Sequence, residues 1–330
     1  MTALAVPTGS GGLRARRGRL GLRVLARAGG AVFVLWAVVT ITFFAVRLVP
    51  GDPALAILGG PGSQAGPEAL ALVRAEHGLD RPLGEQYLAA LVRLAGGDLG
   101  TSYALRMPVG DVIAAQLGGT LLLAVLALAA GWAIALGLAL FSTQGGRFAA
   151  AVGGAIETVA AALPQFWLAA VLIALFSTGL GWLPPVSTGT AAGLVLPVLT
   201  LAIPVAGFLA QVMRTSLLDA LASPFALSAR ARGESGLGVR IRHGIRHAAV
   251  AGVDLSAWAF GYLVSGAVVV ETVFARPGLG RSLVQAVTGR DVPLVTGIVI
   301  VVALAYILIT ILADAVSLVL DPRLRSEPAG

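Results

Sequence analysis

The sequence predicts an all-α, polytopic membrane protein with six transmembrane helices, and composition and pattern both support this fold class. The mean hydropathy is +0.91, and only 12% of the 330 residues are charged, whereas soluble domains carry about 25%. Glycine is abundant, with 43 residues, as expected where small residues let membrane helices approach closely. Six apolar runs follow one another along the chain, and each has the length of a membrane span.

Each apolar run is long enough to cross the hydrocarbon core, which is about 30 Å thick and needs about 20 helical residues. The first run is too long for the core of a signal peptide and lacks a small-residue cleavage site, so we expect a retained helix. The predicted spans lie near residues 29–49, 117–141, 151–176, 192–212, 250–271 and 294–320. The parts between and beside them are a tail (1–28), an outer segment (50–116), a loop (213–249), a second outer segment (272–293) and a tail (321–330).

The residue types that are missing exclude several classes of chemistry. All 23 basic residues are arginine, so the chain has no lysine for a Walker A nucleotide-binding loop or for a Schiff base. It contains no cysteine either, which removes disulfides and thiolate chemistry. The motifs GxSxG and HExxH are absent, and this argues against an intramembrane enzyme.

The positions of the arginines predict the orientation of the chain in the membrane. Six arginines lie in 1–28, one is Arg147, six lie in 213–249 and two lie in 321–330, all on the same side of the predicted spans. Because cytoplasmic loops carry an excess of basic residues, we expect both termini of this multi-pass protein to be cytoplasmic. Topology therefore accounts for the net charge of +7, and nucleic-acid binding is not expected.

The outer segment 50–116 is predicted to contain two helices of its own. The stretch PEALALVRAEHGL begins at Pro67 and places Leu70, Val73 and His77 at helical spacing. A second helix is predicted over 83–95.

The loop 213–249 is predicted to form a helix–turn–helix. Ser223 and Pro224 mark a helix start, Gly233 is a suitable helix end, and Ser235 can cap a second helix. In this second helix a narrow apolar stripe is expected along one edge and a broad cationic arc on the opposite side. The expected stripe is Ile241, Ile245 and Ala248, and the arc is Arg240, Arg242, His243, Arg246 and His247.

Two simpler interpretations of this cationic loop stay open at this point. The arginines could only anchor the protein to anionic lipid. His243 and His247 could hold zinc, but zinc requires three or four ligands, so no metal site is predicted. A long loop with its own turn favours docking of another protein.

The residues of this loop resemble a known family. SARARGESGLGVRIRHGIRH, residues 228–247, is similar to the coupling loop of ABC-importer permeases of the dipeptide, oligopeptide and nickel family, in the first of its two permease types. Ordered matches elsewhere include RLVPGDPA (47–54), GLDRPLGEQYL (78–88), GDLGTS (97–102), PQFWLA (164–169), LPVLTLA (196–202) and GAVVVETVFARPGLGRSLVQAV (266–287). The chain departs from the family pattern at Gln211, Phe225 and Ser317.

The resemblance implies an ABC type I importer-like permease fold and a non-catalytic subunit without a cofactor. The implied partners are a second homologous permease subunit, two ABC ATPase subunits, an extracytoplasmic solute-binding protein and membrane lipid. Peptides are the first cargo that it implies, and nickel or another small solute is the alternative. A stand-alone secondary transporter is the alternative of another class, but it predicts repeated halves that the six spans do not show.

The resemblance also implies roles for particular residues. Contact with the ATPase is assigned to Ala229, Arg230, Arg232, Gly233, Arg242, His243 and Arg246. A re-entrant outer gate that meets the binding protein is assigned to Glu271, Pro277, Gly278 and Gly280, with an ordinary capped loop as the alternative. The translocation path is assigned to Pro164, Phe166 and Trp167, where a kink of the third helix is expected, with helix packing as the alternative.

Ionisable residues within the predicted spans are a further class of candidates. Glu157 and Asp254 are expected to snorkel or cap near the cytoplasmic ends, and Asp314 is expected to hydrogen-bond between helices. A pair between Glu271 and Arg276 is expected at the surface, where it would contribute at most about 1 kcal/mol.

Overall fold

The computed structural model describes residues 11–48, 51–60, 62–144 and 146–320, and within these ranges it does not describe the side chains of 11–26, 314 and 317–320. The predicted tail 321–330, the first ten residues of the tail 1–28 and the side chains of Asp314 and Ser317 lie outside this description. The described residues form helices and connecting turns, with one isolated antiparallel bridge between Thr101 and Pro108.

The helices of the described residues are numbered in chain order. They are α1 (Gly11–Leu48), α2 (Pro53–Ile57), α3 (Pro67–Glu76), α4 (Leu83–Ala95), α5 (Val109–Ser142), α6 (Arg147–Ala162), α7 (Gln165–Leu172), α8 (Ala192–Ala222), α9 (Pro224–Ala231), α10 (Gly236–Val239), α11 (Ile245–Val273), α12 (Leu279–Thr288) and α13 (Val292–Leu320). Two π-helical turns, Ile173–Gly179 and Arg240–Gly244, continue α7 and precede α11.

The described helices include five that are long and apolar enough to cross a membrane, and the number is six if the bent pair α6–α7 counts as one span. These helices overlap the six predicted runs, although several extend beyond the predicted bounds. The first helix begins at Gly11, well before residue 29, although only its Arg27–Leu48 part has the apolar character of a span. The outer helices α3 and α4 occur where the sequence predicts them.

The third span is sharply bent rather than straight. The axes of α6 and α7 differ by 106°, and the break lies at Leu163 and Pro164. Proline lacks the N–H that a continuing helix needs and disfavours helical backbone at the residue before it. Leu163 accordingly takes an extended conformation, with φ −69° and ψ 124°.

The core of the bundle lies around α8. Within its most apolar stretch 61% of the residues are buried, against 17% for α1, so α8 is central and α1 peripheral. Small residues let α6 and α8 cross in close contact: a Cβ at Gly207 would stand 2.4 Å from the Ala161 nitrogen. Helix α8, which leads directly into α9, is therefore packed closely against α6, the first half of the bent pair.

A second, smaller core joins the outer segment to the bundle. Phe43 from α1, Val109 and Ile113 from α5, Leu279 from α12 and Ile298 from α13 are buried together in it. The outer helix α4 packs against this cluster, so the outer segment rests on the ends of α1 and α13.

Candidate functional site

The first helix of the predicted docking loop begins as its sequence indicates. Ser223 occupies the N-cap position and Pro224 the first helical position. The Ser223 hydroxyl, however, donates to the carbonyl of Ala220 at 2.5 Å instead of capping α9. Helix α9 buries Ala226 and Ala229 against the rest of the chain. The side chain of Ala229, one of the residues assigned to the ATPase contact, therefore faces inward.

The turn after α9 depends on Gly233. Its φ is +86°, and the N–H groups of Gly233 and Glu234 donate to the carbonyls of Arg230 (2.9 Å) and Ala229 (3.2 Å), which is the Schellman arrangement of a helix end. A Cβ on Gly233 would meet no atom within 4 Å. Glycine is needed here for the sign of φ and not for space, since other residues pay about 1 kcal/mol or more for this backbone.

The second helix of the loop is rotated relative to the predicted pattern. Ser235 caps it as expected by accepting a hydrogen bond from the Gly238 N–H at 3.1 Å. The buried face does not follow the predicted apolar stripe, because Ile241 is 49% exposed whereas Val239 and Gly244 are buried. The cause is the π-helical turn Arg240–Gly244, which inserts one extra residue into the helical repeat.

A carboxylate that sequence reasoning missed organises the cationic arc. Glu234 lies 3.6 Å from the Arg242 guanidinium and 3.1 Å from His243 Nε2. His247 instead stacks on the ring of Phe225, with 5.2 Å between ring centroids. Glu234 is the only acidic residue in 223–248, a signal that the sequence carries. No group of three or more His, Cys, Asp and Glu suited to a metal ion occurs among the described residues.

The outward surface of this segment mixes positive charge with apolar side chains. Arg230, Arg232, Arg242 and Arg246 are exposed. So are the large apolar residues Phe225, Leu227, Leu237 and Ile241. Such a mixture suits contact with another macromolecule, in which apolar groups supply contact area and charges set orientation.

The predicted outer gate is a turn built around a buried carboxylate. Glu271 is fully buried and Arg276 is nearly so, and the expected location of this pair at the surface is therefore wrong. Its carboxylate accepts hydrogen bonds from the Thr120 hydroxyl (2.6 Å) and from the N–H groups of Gly280 (2.8 Å) and Arg281 (3.1 Å). Thr120 in turn accepts from the Leu279 N–H at 2.8 Å. These bonds satisfy the first N–H groups of α12, which has no capping side chain of its own.

The two glycines of this turn are required by lack of space. A Cβ on Gly278 would lie 2.2 Å from the Glu271 carboxylate, and one on Gly280 would lie 2.6 Å from the backbone of Val268. Pro277 is exposed, whereas Glu271, Gly278 and Gly280 are buried. Arg276 donates to the Ser187 hydroxyl and to the Gly119 carbonyl, each at 3.3 Å.

The residues assigned to the translocation path lie at the bend of the third span. Pro164 precedes the first turn of α7, and Phe166 and Trp167 are 66% and 48% exposed. Their side chains point away from the core of this chain and are available to a path or to a neighbouring subunit.

Glu157 is buried, and the prediction that it snorkels or caps near a helix end is wrong. It is 1% exposed instead of snorkelling, and its carboxylate lies 3.6 Å from the Arg214 guanidinium. Arg214, expected in the cytoplasmic loop, lies on α8. Gln211 adds a hydrogen bond from its side-chain nitrogen to the Glu157 carbonyl at 3.2 Å. These contacts join α6 to α8 close to the point where residues 223–248 begin.

Comparisons with known proteins agree with this architecture. Two family models match: the N-terminal domain of binding-protein-dependent transport system membrane components over residues 22–124, and the binding-protein-dependent transport system inner membrane component over residues 127–326. The chain is 36% identical over 303 residues to the glutathione transport system permease protein GsiC of Salmonella paratyphi A, covering 92% of this chain and 98% of that protein. The Escherichia coli K12 protein of the same name is 35% identical over the same shares.

A solved structure, the inward-facing MetNI methionine ABC transporter, shares the fold with a TM-score of 0.53 at 19% identity, over 64% of this chain and 96% of that one. The predicted fold class is confirmed, and the alternatives of an intramembrane enzyme and a stand-alone transporter are not favoured. The chain belongs to the family of binding-protein-dependent transport system inner membrane components and is a non-catalytic, multi-pass permease subunit of an ABC importer, in which separate ATPase subunits hydrolyse ATP.

Proposed function

We propose that this permease forms half of the translocation path of a peptide importer, with di- or oligopeptides as its cargo. The identity of 36% to a glutathione permease, which extends over 92% of the chain, supports a small peptide as cargo. The complete importer contains a second homologous permease subunit, two ATPase subunits and an extracytoplasmic solute-binding protein. Both termini lie in the cytoplasm, as the distribution of arginines favours.

The ATPase contact is the exposed face of residues 223–248, here called the coupling segment. One observation carries this proposal: the segment buries Ala226, Ala229, Val239 and Ala248 against its own chain and leaves a cationic and apolar surface exposed. Arg230, Arg232, Arg242 and Arg246 meet acidic groups of the ATPase, while Gly233 and His243 fix the turn. Closure of the ATPases then moves α9, and with it α8, as rigid elements.

The outer turn and the bend have roles on the opposite side and in the path. Pro277 is exposed where a binding protein can reach it, while Glu271, Gly278 and Gly280 hold the turn in shape. Pro164 sets the direction of α7, and Phe166 and Trp167 line the path or the contact with the second permease.

An uptake assay with the reconstituted importer tests the cargo. We expect ATP-dependent accumulation of labelled glutathione or dipeptides in proteoliposomes that contain all subunits. Nickel serves as the competing substrate, and uptake of nickel without uptake of peptide would overturn the peptide assignment. Omission of the ATPases is the matched control, because peptide uptake by the permease without them would contradict the coupling proposal.

A further inference from the structure

A cavity of about 300 Å³ lies between the outer segment and the ends of two spans. Phe43 and Arg47 of α1 and Val292 and Thr296 of α13 form one side of it. Residues of α3, of α4 and of the turns that follow them, including Tyr103, form the other side. Because α1 and α13 have the length and apolar character of membrane spans and these residues lie at their ends, we place the cavity near the level of the lipid headgroups.

Arg47 is the cation held inside this cavity. Its guanidinium lies 3.7 Å from the centre of the Phe43 ring and donates to the Gln86 side-chain oxygen at 2.5 Å. Gln86 is fixed in turn, because its side-chain nitrogen donates to the carbonyls of Leu79 and Arg81. None of the ion pairs between described residues includes Arg47. A half-buried cation with no carboxylate partner is costly unless an anion joins it.

The other polar groups of the cavity favour a negatively charged ligand. Arg81 and Arg93 line it at the exposed rim, as do Glu76 and Asp98. Asp98 is already used locally, because its carboxylate accepts from the Gly100 N–H at 2.8 Å. Burial raises the pKa of Tyr103, so its hydroxyl stays protonated and can donate. Arginines outnumber carboxylates in the lining, and the half-buried charged group is an arginine.

We propose that this cavity binds the phosphate of a phospholipid headgroup, with Arg47 as the cation that contacts it. A guanidinium has five N–H donors. Those of Arg47 donate to the Gln86 side-chain oxygen and, at 3.5 Å, to the Phe43 carbonyl. Donors therefore remain for two phosphate oxygens. A free phosphate ion offers the same oxygens, but α1 also exposes Ile41, Phe44 and Leu48 near this end, where acyl chains can lie. Assignment to the outer leaflet rests on the orientation proposed above.

The test is a ligand titration of the assembled importer in detergent, followed through its thermal unfolding midpoint. Short-chain phosphatidylglycerol is the probe, and a galactolipid without phosphate and inorganic phosphate are the comparison ligands. We expect phosphatidylglycerol alone to raise the midpoint, and Arg47→Gln to weaken its apparent affinity about tenfold or more. Arg106→Gln is the matched control, since Arg106 is an exposed arginine of the outer segment that does not line the cavity.

Three results would overturn the proposal. The first is equal affinity of Arg47→Gln and the unmodified importer for phosphatidylglycerol. The second is an equal effect of the galactolipid, which would assign binding to the acyl chains. The third is an equal effect of inorganic phosphate, which would assign the site to a free ion. If Arg47→Gln does not assemble, the double variant Arg81→Gln and Arg93→Gln at the rim decides, with an expected loss of affinity of about threefold or more.

Discussion

The coupling segment and the outer turn, which is the turn that contains Pro277, Gly278 and Gly280, have a similar arrangement but are stabilised by different contacts. Each consists of a short helix beside a glycine turn, with one carboxylate at its centre: Glu234 in the coupling segment and Glu271 in the outer turn. Glu271 is fully buried and bonded to donors from two other elements, α5 and α12. Glu234 is partly exposed and pairs only with residues of its own segment.

This difference indicates how each turn relates to the rest of the molecule. The outer turn is shaped by tertiary packing, because Gly278 and Gly280 are needed where a Cβ would collide with other parts of the chain. The coupling segment is shaped by local backbone preference at Gly233, and its outward side stays open. A turn of the first kind depends on the assembled bundle, whereas a turn of the second kind keeps its shape while it moves with a partner.

Loss of the buried carboxylate should have the largest effect on stability. Glu271→Ala leaves the N–H groups of Gly280 and Arg281 and the Thr120 hydroxyl without their acceptor. Each buried donor left without an acceptor costs about 1 kcal/mol or more, so we expect the free energy of unfolding to fall by on the order of 3 kcal/mol. Thermal unfolding of the purified importer measures it, with Glu68→Ala on the exposed side of α3 as the control. Equal midpoints for the two variants would contradict the role of Glu271.

The two kinds of glycine can be compared directly with the same substitution. Gly280→Ala places a Cβ 2.6 Å from the Val268 backbone, which must shift, so we expect a cost of about 2 kcal/mol. Gly233→Ala meets no atom and has only the cost of positive φ, about 1 kcal/mol. The difference in unfolding midpoint between the variants is the measurement. If Gly233→Ala were the more damaging, the distinction between packed and local turns would be wrong.

A charge at the coupling turn should impair function more than stability. Gly233→Asp costs about 1 kcal/mol in folding, but it places a carboxylate among arginines that we assign to the ATPase contact. We expect peptide uptake per ATP hydrolysed to fall about tenfold or more, since a disrupted charged contact costs 1.4 kcal/mol or more. Gly233→Asn has nearly the same shape without the charge and should retain most of the coupling. Normal coupling in Gly233→Asp would remove the main support for docking.

The smallest effect is expected from Glu234, the partly exposed carboxylate of the coupling segment. Glu234→Gln removes the charge that faces Arg242 at 3.6 Å and His243 at 3.1 Å. Pairs at the surface contribute about 1 kcal/mol or less and weaken with salt. The unfolding midpoint should therefore change slightly at low salt and not at all at high salt. A loss as large as that of Glu271→Ala would mean that the two turns are held alike.

Much of the fold and part of the candidate site could be predicted from the sequence. The six spans, the helices α3 and α4, the break at Pro164 and the turn at Gly233 rest on local signals: apolar length, helical period, proline and glycine. The burial of Glu271 and of Glu157 could not be predicted. Each depends on a partner that is distant in sequence, the Thr120 hydroxyl for Glu271 and the Arg214 charge for Glu157, and periodicity along one helix says nothing about these partners.

The sequence by itself determined that this chain spans the membrane, how its arginines favour an orientation, and which short segments turn, because hydrophobic length and backbone preference act locally. Only the tertiary structure decided which faces are inside. The π-helical turn Arg240–Gly244 moves Ile241 outward, and the packing of α5 against α12 converts an apparently exposed Glu271 into a buried acceptor. The physical reason is that burial is a property of the whole assembly of helices, whereas the apolar length and period that predict where a helix lies are read from neighbouring residues.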